Sequence, residues 1–159
     1  MTITDQYQIP LAARTSRAPV KTDAFKDAYV KARHVIDQNA IMAIDGPPGT
    51  GKTTFSVFTA DRVNRPAAVV VMPSRPAPLD LLRLTHKAVT GEPAGTASRY
   101  QLGDALMTAL PTWGGVLVVD ELQNCAVNAM QELVWLHEVT AGAFSIVAVG
   151  HGVLHTIRG

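Results

Sequence analysis

The sequence predicts an α/β fold, a three-layer sandwich in which a mostly parallel sheet of about four strands lies between two layers of helices. Three observations predict it. Short, continuous apolar runs recur at 40–44, 67–72, 116–119 and 144–149, the pattern of strands buried on both faces. Between them lie longer stretches with apolar residues at helical spacing, which parallel strands need as crossovers. Three polar groups, Lys52-Thr53, Asp120-Glu121 and His151, each fall just after an apolar run. In open parallel sheets, ligands sit beyond the carboxyl ends of the strands.

Residues 1–21 show no sustained period, contain Pro10 and Pro19, and scatter Arg14, Arg17 and Lys21; they are expected to form an N-terminal arm ahead of a single core domain, 22–159. Thr22 can cap a helix running to about 38, with Asp23 in its first turn and Phe25, Ala28, Tyr29, Ala32, Val35 and Ile36 on one stripe. The run 40–44 is the first strand, and 53–63 can be helical. Asn64-Arg65-Pro66 breaks the chain before the second strand, 67–72, which Pro73 ends. Pro76 and Pro78 keep the next stretch extended, and a helix over about 79–89 is closed by Gly91. After a loop, Ser98-Arg99-Tyr100-Gln101 is a capping box for a helix carrying Leu102, Leu106, Ala109 and Leu110, with Pro111 and Gly114-Gly115 expected to end it. The third strand, 116–119, runs into Asp120-Glu121. A helix over 127–140 follows, with Met130, Leu133, Val134 and His137 on one face and Gly142 at its stop, and then the fourth strand, 144–149. His137 reads as a packing or capping residue.

The nine residues from Gly46 read Gly-Pro-Pro-Gly-Thr-Gly-Lys-Thr-Thr and fit G-x-x-x-x-G-K-[ST] at Gly46, Gly51, Lys52 and Thr53. A glycine-proline loop can match by chance, but here a strand precedes the motif and a helix follows it, the context that gives the match meaning. Glycines let the turn curl so that backbone N–H groups and a helix N-terminus converge on one point, which suits a triphosphate. Gly46, Pro47, Pro48, Gly49, Thr50, Gly51, Lys52, Thr53 and Thr54 are therefore the expected ATP-binding segment. Lys52, expected to be exposed in the empty loop, would reach the β- and γ-phosphates, and the Thr53 hydroxyl would hold Mg²⁺. An aromatic residue of the first helix is a candidate to border the adenine.

The second half of the site is the apolar strand ending in Asp120-Glu121. Asp120 is placed to bind the Mg²⁺ shell, directly or through water, and Glu121 to orient and polarise an attacking water. A glutamate there favours hydrolysis over phosphoryl transfer to a small molecule. His151 stands where a polar residue can sense the γ-phosphate, as a third candidate catalytic residue beside Lys52 and Glu121. His151 and His155 are four apart but have neither a third ligand nor an intervening glutamate, which argues against a zinc site.

Composition narrows the class further. With 47% hydrophobic and 17% charged residues, the chain is an ordinary globular one. No apolar run approaches the roughly 20 residues of a membrane span, and Asp5, Gln6 and Gln8 interrupt any signal-peptide core. The single cysteine, Cys125, excludes an internal disulfide and suits a reducing compartment, so a cytoplasmic location is expected. Net charge is +1, but its distribution is uneven. Arg62, Arg65, Arg75, Arg83, Lys87 and Arg99 face only Asp80 and Glu92 over 62–99, and 100–157 holds no Lys or Arg. Arg75, Arg83, Lys87 and Arg99 are the candidates if duplex DNA is bound.

The order of these motifs resembles a known family. The phosphate loop, Val-Leu-Val-Val-Asp-Glu-Leu-Gln at 116–123, Leu136-His137-Glu138 and Val147-Ala148-Val149-Gly150-His151 are similar to the AAA+ ATPases that assist DNA transposition, the target-selection partners of phage Mu and related transposons. The resemblance spans roughly 24–157. It implies a P-loop NTPase of the ASCE/AAA+ type in which Lys52 and Thr53 carry phosphate and Mg²⁺, Asp120 the metal, Glu121 the water, and His151 stands at sensor 1. Members usually have Asp-Glu-Ala-Gln where Leu122 stands here, and Asn or Thr at sensor 1. They continue into a fifth strand, an arginine finger and a helical lid, so the chain is expected to be a fragment or a minimal member without the lid. Arg158 is then a candidate to act on a neighbouring subunit.

The implied strand order, 5-1-4-3-2, leaves the first strand at an edge when the fifth is missing. That edge is expected to be covered by Tyr7-Gln8-Ile9 of the arm or by a second copy of the chain, the latter favoured. The leading expectation is an ATP-hydrolysing homo-oligomer acting on duplex DNA or a transposase-type protein, with no membrane partner. A nucleotide-gated binding module with negligible turnover and a secretion-type AAA+ ATPase are the alternatives.

Overall fold

The computed structural model describes residues 22–153. The arm at 1–21, with Tyr7-Gln8-Ile9, lies outside the described residues, as do His155 and Arg158.

Four parallel strands, β1 (Ile41–Asp45), β2 (Ala67–Val71), β3 (Val116–Asp120) and β4 (Ser145–Gly150), form one sheet in the order β1-β4-β3-β2. Ile41 is level with Ile146, Leu117 with Ile146, and Val71 with Asp120. This is the expected order, with β1 at the edge of the described sheet. The order also places the exits of β1, β4 and β3 side by side, although their residues are far apart in sequence.

Alternation along the two central strands divides the core. Val116, Val118, Val147 and Val149 face one side and pack on α1 (Asp23–Asp37) and α2 (Lys52–Asp61) through Ala32, Ile36, Phe55 and Ala60. Leu117, Val119, Ile146 and Ala148 face the other side, against α3 (Asp80–Thr90), α4 (Arg99–Trp113) and α5 (Val127–Val139). Leu81, Leu106, Leu110, Met130, Leu133 and Leu136 complete that second core. The result is a sandwich of three layers.

The helix ends follow local chemistry. Thr22 is extended and its hydroxyl accepts the Phe25 N–H at 3.2 Å, and Asp23 lies in the first turn. Ser98 and Gln101 form the expected capping box of α4. Pro111 does not end that helix. It sits inside the last turn, where a missing N–H costs a single bond, and the chain continues to Trp113 before Gly114 turns left-handed at φ 54°. Phe25 meets the rings of Phe55 and Phe58 edge-on at 5.4 and 5.2 Å, and Tyr29 meets Phe58 at 5.1 Å. The aromatic residues of α1 thus pack against α2, with Phe25 and Tyr29 half-buried. Cys125 is buried, which pushes its thiol up to about 12. No helix among the described residues is long and apolar enough to cross a membrane.

Arg65, counted above in a basic segment, has an internal task. Its guanidinium donates to Gly114 O at 2.8 Å, Ile36 O at 3.1 Å and Gly115 O at 3.4 Å, fastening the end of α1 to the α4–β3 junction. A hydrogen bond to a charged group contributes about 1.5–3 kcal/mol. Arg65→Ala is therefore expected to lower unfolding free energy by about 2 kcal/mol, allowing for partial exposure. Denaturant titration at unchanged m-value measures this, and a loss below about 0.5 kcal/mol would mean that water replaces the guanidinium fully.

Candidate nucleotide site

The loop between β1 and α2 turns on two left-handed glycines, Gly49 at φ 80° and Gly51 at φ 81°, a backbone that residues with a Cβ adopt only at a cost. Its base is tied down. Gly46 N–H donates to Gly150 O at 3.2 Å, continuing the β1–β4 pairing, and the Thr50 hydroxyl donates to Pro47 O at 2.8 Å. Gly51 brings no side chain to cap α2, and the first turn carries no carboxylate. That helix N-terminus is thus open to an anion.

Lys52 is not simply exposed, as the sequence suggested. It is half-buried, and its ammonium donates to Gly46 O and Pro47 O, both at 2.7 Å. An ammonium without an anion nearby takes the nearest carbonyls, and here those belong to its own loop. The charge is kept at the mouth of the turn.

Asp120 is the last residue of β3 and is fully buried, its Oδ1 accepting the Glu121 N–H at 2.9 Å. Glu121 leaves the sheet with a left-handed backbone, φ 58° and ψ 36°, and the 3₁₀ turn Leu122–Asn124 follows at once. Strain at a non-glycine residue concentrates at functional positions. The Gln123 amide donates to Glu121 Oε2, and its carbonyl oxygen accepts the His151 N–H at 3.0 Å. On the other side of the same loop, Gly152 N–H donates to Asp45 Oδ1 at 2.7 Å.

These segments enclose a concavity of about 400 Å³ lined by the phosphate loop and α2 start (Pro48, Gly49, Gly51, Lys52, Thr53, Thr54) and by Glu121, Gln123 and His151. Gly46, Pro47 and Thr50 form the base of the loop, and Asp120 lies beneath the surface, outside the lining. The Thr53 hydroxyl and the Asp120 carboxylate are hard oxygen donors of the kind that Mg²⁺ takes together with phosphate oxygens. Gln123 and Asp45 were given no role from sequence. The signal available was only that one ends the Asp-Glu-Leu-Gln run and the other is polar at a strand exit. Another hollow, about 310 Å³ between α4 and α5, includes Tyr100, Asp104 and Trp135, but its Arg99 and Glu132 pair with each other and it has no glycine turn.

The basic segment is largely occupied within the chain. Arg83 pairs with Asp80 at 3.7 Å, Arg99 with Glu132, and Arg62 lies 3.8 Å over the Phe58 ring. Arg65 likewise serves an internal contact, and Lys87 also has a partner. Arg75 is exposed.

Residues 33–157 match a family model described as an AAA domain. No curated protein matches the chain. Among solved structures, it is similar to one of Pif1 helicases that unwind forked double-stranded DNA, with a TM-score of 0.50 and 17% identity over 84% of this chain and 34% of that one. It is also similar to a DNA replication initiation factor, with a TM-score of 0.53 and 11% identity over 83% of this chain and 39% of that one. The chain thus spans under half the length of either, and at these identities the likeness is one of fold.

Proposed function

The chain belongs to the AAA domain family, and on that footing we propose that it binds ATP with Mg²⁺ in the Gly46–Thr54 loop and hydrolyses it, residues 22–159 acting as one catalytic core. The observation that carries this reading is that Lys52 and Thr53, at the start of α2, line the same concavity as Glu121 and His151, at the ends of β3 and β4. The loop amides and the open end of α2 hold the phosphates, and Lys52 leaves its two carbonyls to reach the β- and γ-oxygens. Thr53 and Asp120 hold Mg²⁺, which when bound neutralises charge on the phosphates. Glu121 orients a water and draws off its proton, and His151 stands beside the terminal phosphate.

The family resemblance described above extends the proposal to a helper ATPase that assembles on duplex DNA or with a transposase-type protein. The edge strand β1 offers a surface for self-assembly, its residues Ile41–Ile44 only half-buried. Phosphate release with and without duplex DNA tests the whole reading. Turnover stimulated by DNA is expected. ATP binding without release would identify a nucleotide-gated binding module instead. If DNA is the partner, Arg75→Ala is expected to reduce the slope of log affinity against log salt by about 0.9, the loss of one phosphate contact. Binding that is insensitive to salt, or absent at about 50 mM salt, would remove DNA from the partners.

A further inference from the structure

We propose that Gln123 is a positioning residue that holds the Glu121 carboxylate toward the phosphate site and fastens it to the loop after β4. The proposal rests on the hydrolytic reading above. A single side-chain amide makes both connections, donating to Glu121 Oε2 and accepting from the His151 backbone N–H at 3.0 Å. That loop is itself anchored to the strand that carries the phosphate loop, through Gly152 N–H to Asp45 Oδ1 at 2.7 Å and Gly46 N–H to Gly150 O at 3.2 Å. The Glu121 carboxylate is thereby referenced to the phosphate loop by hydrogen bonds that cross three strand exits.

The surroundings are shaped for the amide. A Cβ on Gly150 would lie 2.4 Å from Gln123 Oε1 and 2.9 Å from Val153 Cγ1, so a glycine there is what admits the Gln123 side chain. The left-handed backbone of Glu121 and the 3₁₀ turn after it bring residue 123 back beside residue 121. A half-buried glutamate with three rotatable side-chain bonds loses its aim unless a partner selects one rotamer. Glu121 and Gln123 both line the concavity with Lys52, Thr53 and His151, so the pair lies on the wall of the proposed phosphate site. Gln123 therefore promotes turnover and leaves nucleotide affinity alone.

The test measures steady-state ATP hydrolysis and, separately, ATP affinity for the unaltered protein, Gln123→Met, Gly150→Ala and the double variant. Gln123→Met keeps length but neither donates nor bridges, and its position is exposed, so folding is unaffected. It is expected to lower kcat between about tenfold and about a hundredfold, the scale of a misplaced reacting group, with the ATP Kd within about threefold. Gly150→Ala is expected to reproduce that loss by displacing the amide, and to add little in the Gln123→Met background, the mark of two changes acting through one contact. If Gly150→Ala does not fold, the Gln123→Met kinetics decide alone. A kcat for Gln123→Met equal to or above that of the unaltered protein, or a loss confined to affinity, overturns the proposal while hydrolysis stands. Absence of turnover in the unaltered protein despite ATP binding overturns the hydrolytic reading and this proposal with it.

Discussion

Replacing Lys52 by alanine is expected to weaken ATP binding by about a hundredfold or more while the fold survives. A charge-assisted hydrogen bond contributes about 1.5–3 kcal/mol, each 1.4 kcal/mol is about tenfold, and Lys52 is placed to reach two phosphates. The gain is less than the sum, because the ammonium first gives up Gly46 O and Pro47 O. The same two bonds explain why the fold tolerates the change. Pro47 is exposed and Gly46 half-buried, so water can take over both carbonyls, at a cost of no more than about 1 kcal/mol. Calorimetric titration with ATP and a thermal melt separate the two effects. An affinity within about threefold of the unaltered protein would defeat the phosphate-loop assignment.

Glu121→Gln is expected to leave ATP bound and reduce hydrolysis by about 10²- to 10⁴-fold, the usual contribution of a positioned general base. The substitution keeps shape and removes the charge that draws a proton from water. It also keeps the local scaffold, since an amide at 121 can turn its oxygen toward the Gln123 donor, and the left-handed backbone is no worse for glutamine than for glutamate. Single-turnover hydrolysis beside a binding titration reads both quantities. Loss of ATP affinity would show that Glu121 holds metal or fold instead of activating water.

Much of this architecture was legible because it is local. Four apolar runs became four strands within a residue or so at each end, since strands of a parallel sheet covered by helices read as near-continuous apolar runs. The Thr22 cap and the Ser98–Gln101 box were readable for the same reason. Pro111 misled because a breaker rule takes no account of how little helix remains beyond it. What could not be read is contact between distant segments. Gln123 meets His151 across 28 residues, Asp45 meets Gly152 across 107, and Arg65 reaches carbonyls 29 to 50 residues away. No spacing in the chain announces such bonds. The resting partners of Lys52 were hidden for a different reason, since the motif describes the loop with phosphate in it.

The strand order also dictates when the site can exist. Among the described residues, β4 comes last in sequence yet lies between β1 and β3, and it is the only strand that pairs with β1. During synthesis, the loop after β1 therefore emerges well before β1's neighbour in the described sheet. Its base is fixed only when residues about a hundred positions later, Gly150 and Gly152, slot in beside it. Such long-range closure is slow, because loop entropy is lost before the contacts form. A ribosome-bound chain that has not yet made β4 therefore carries the loop without the hydrogen bonds that tie down its base.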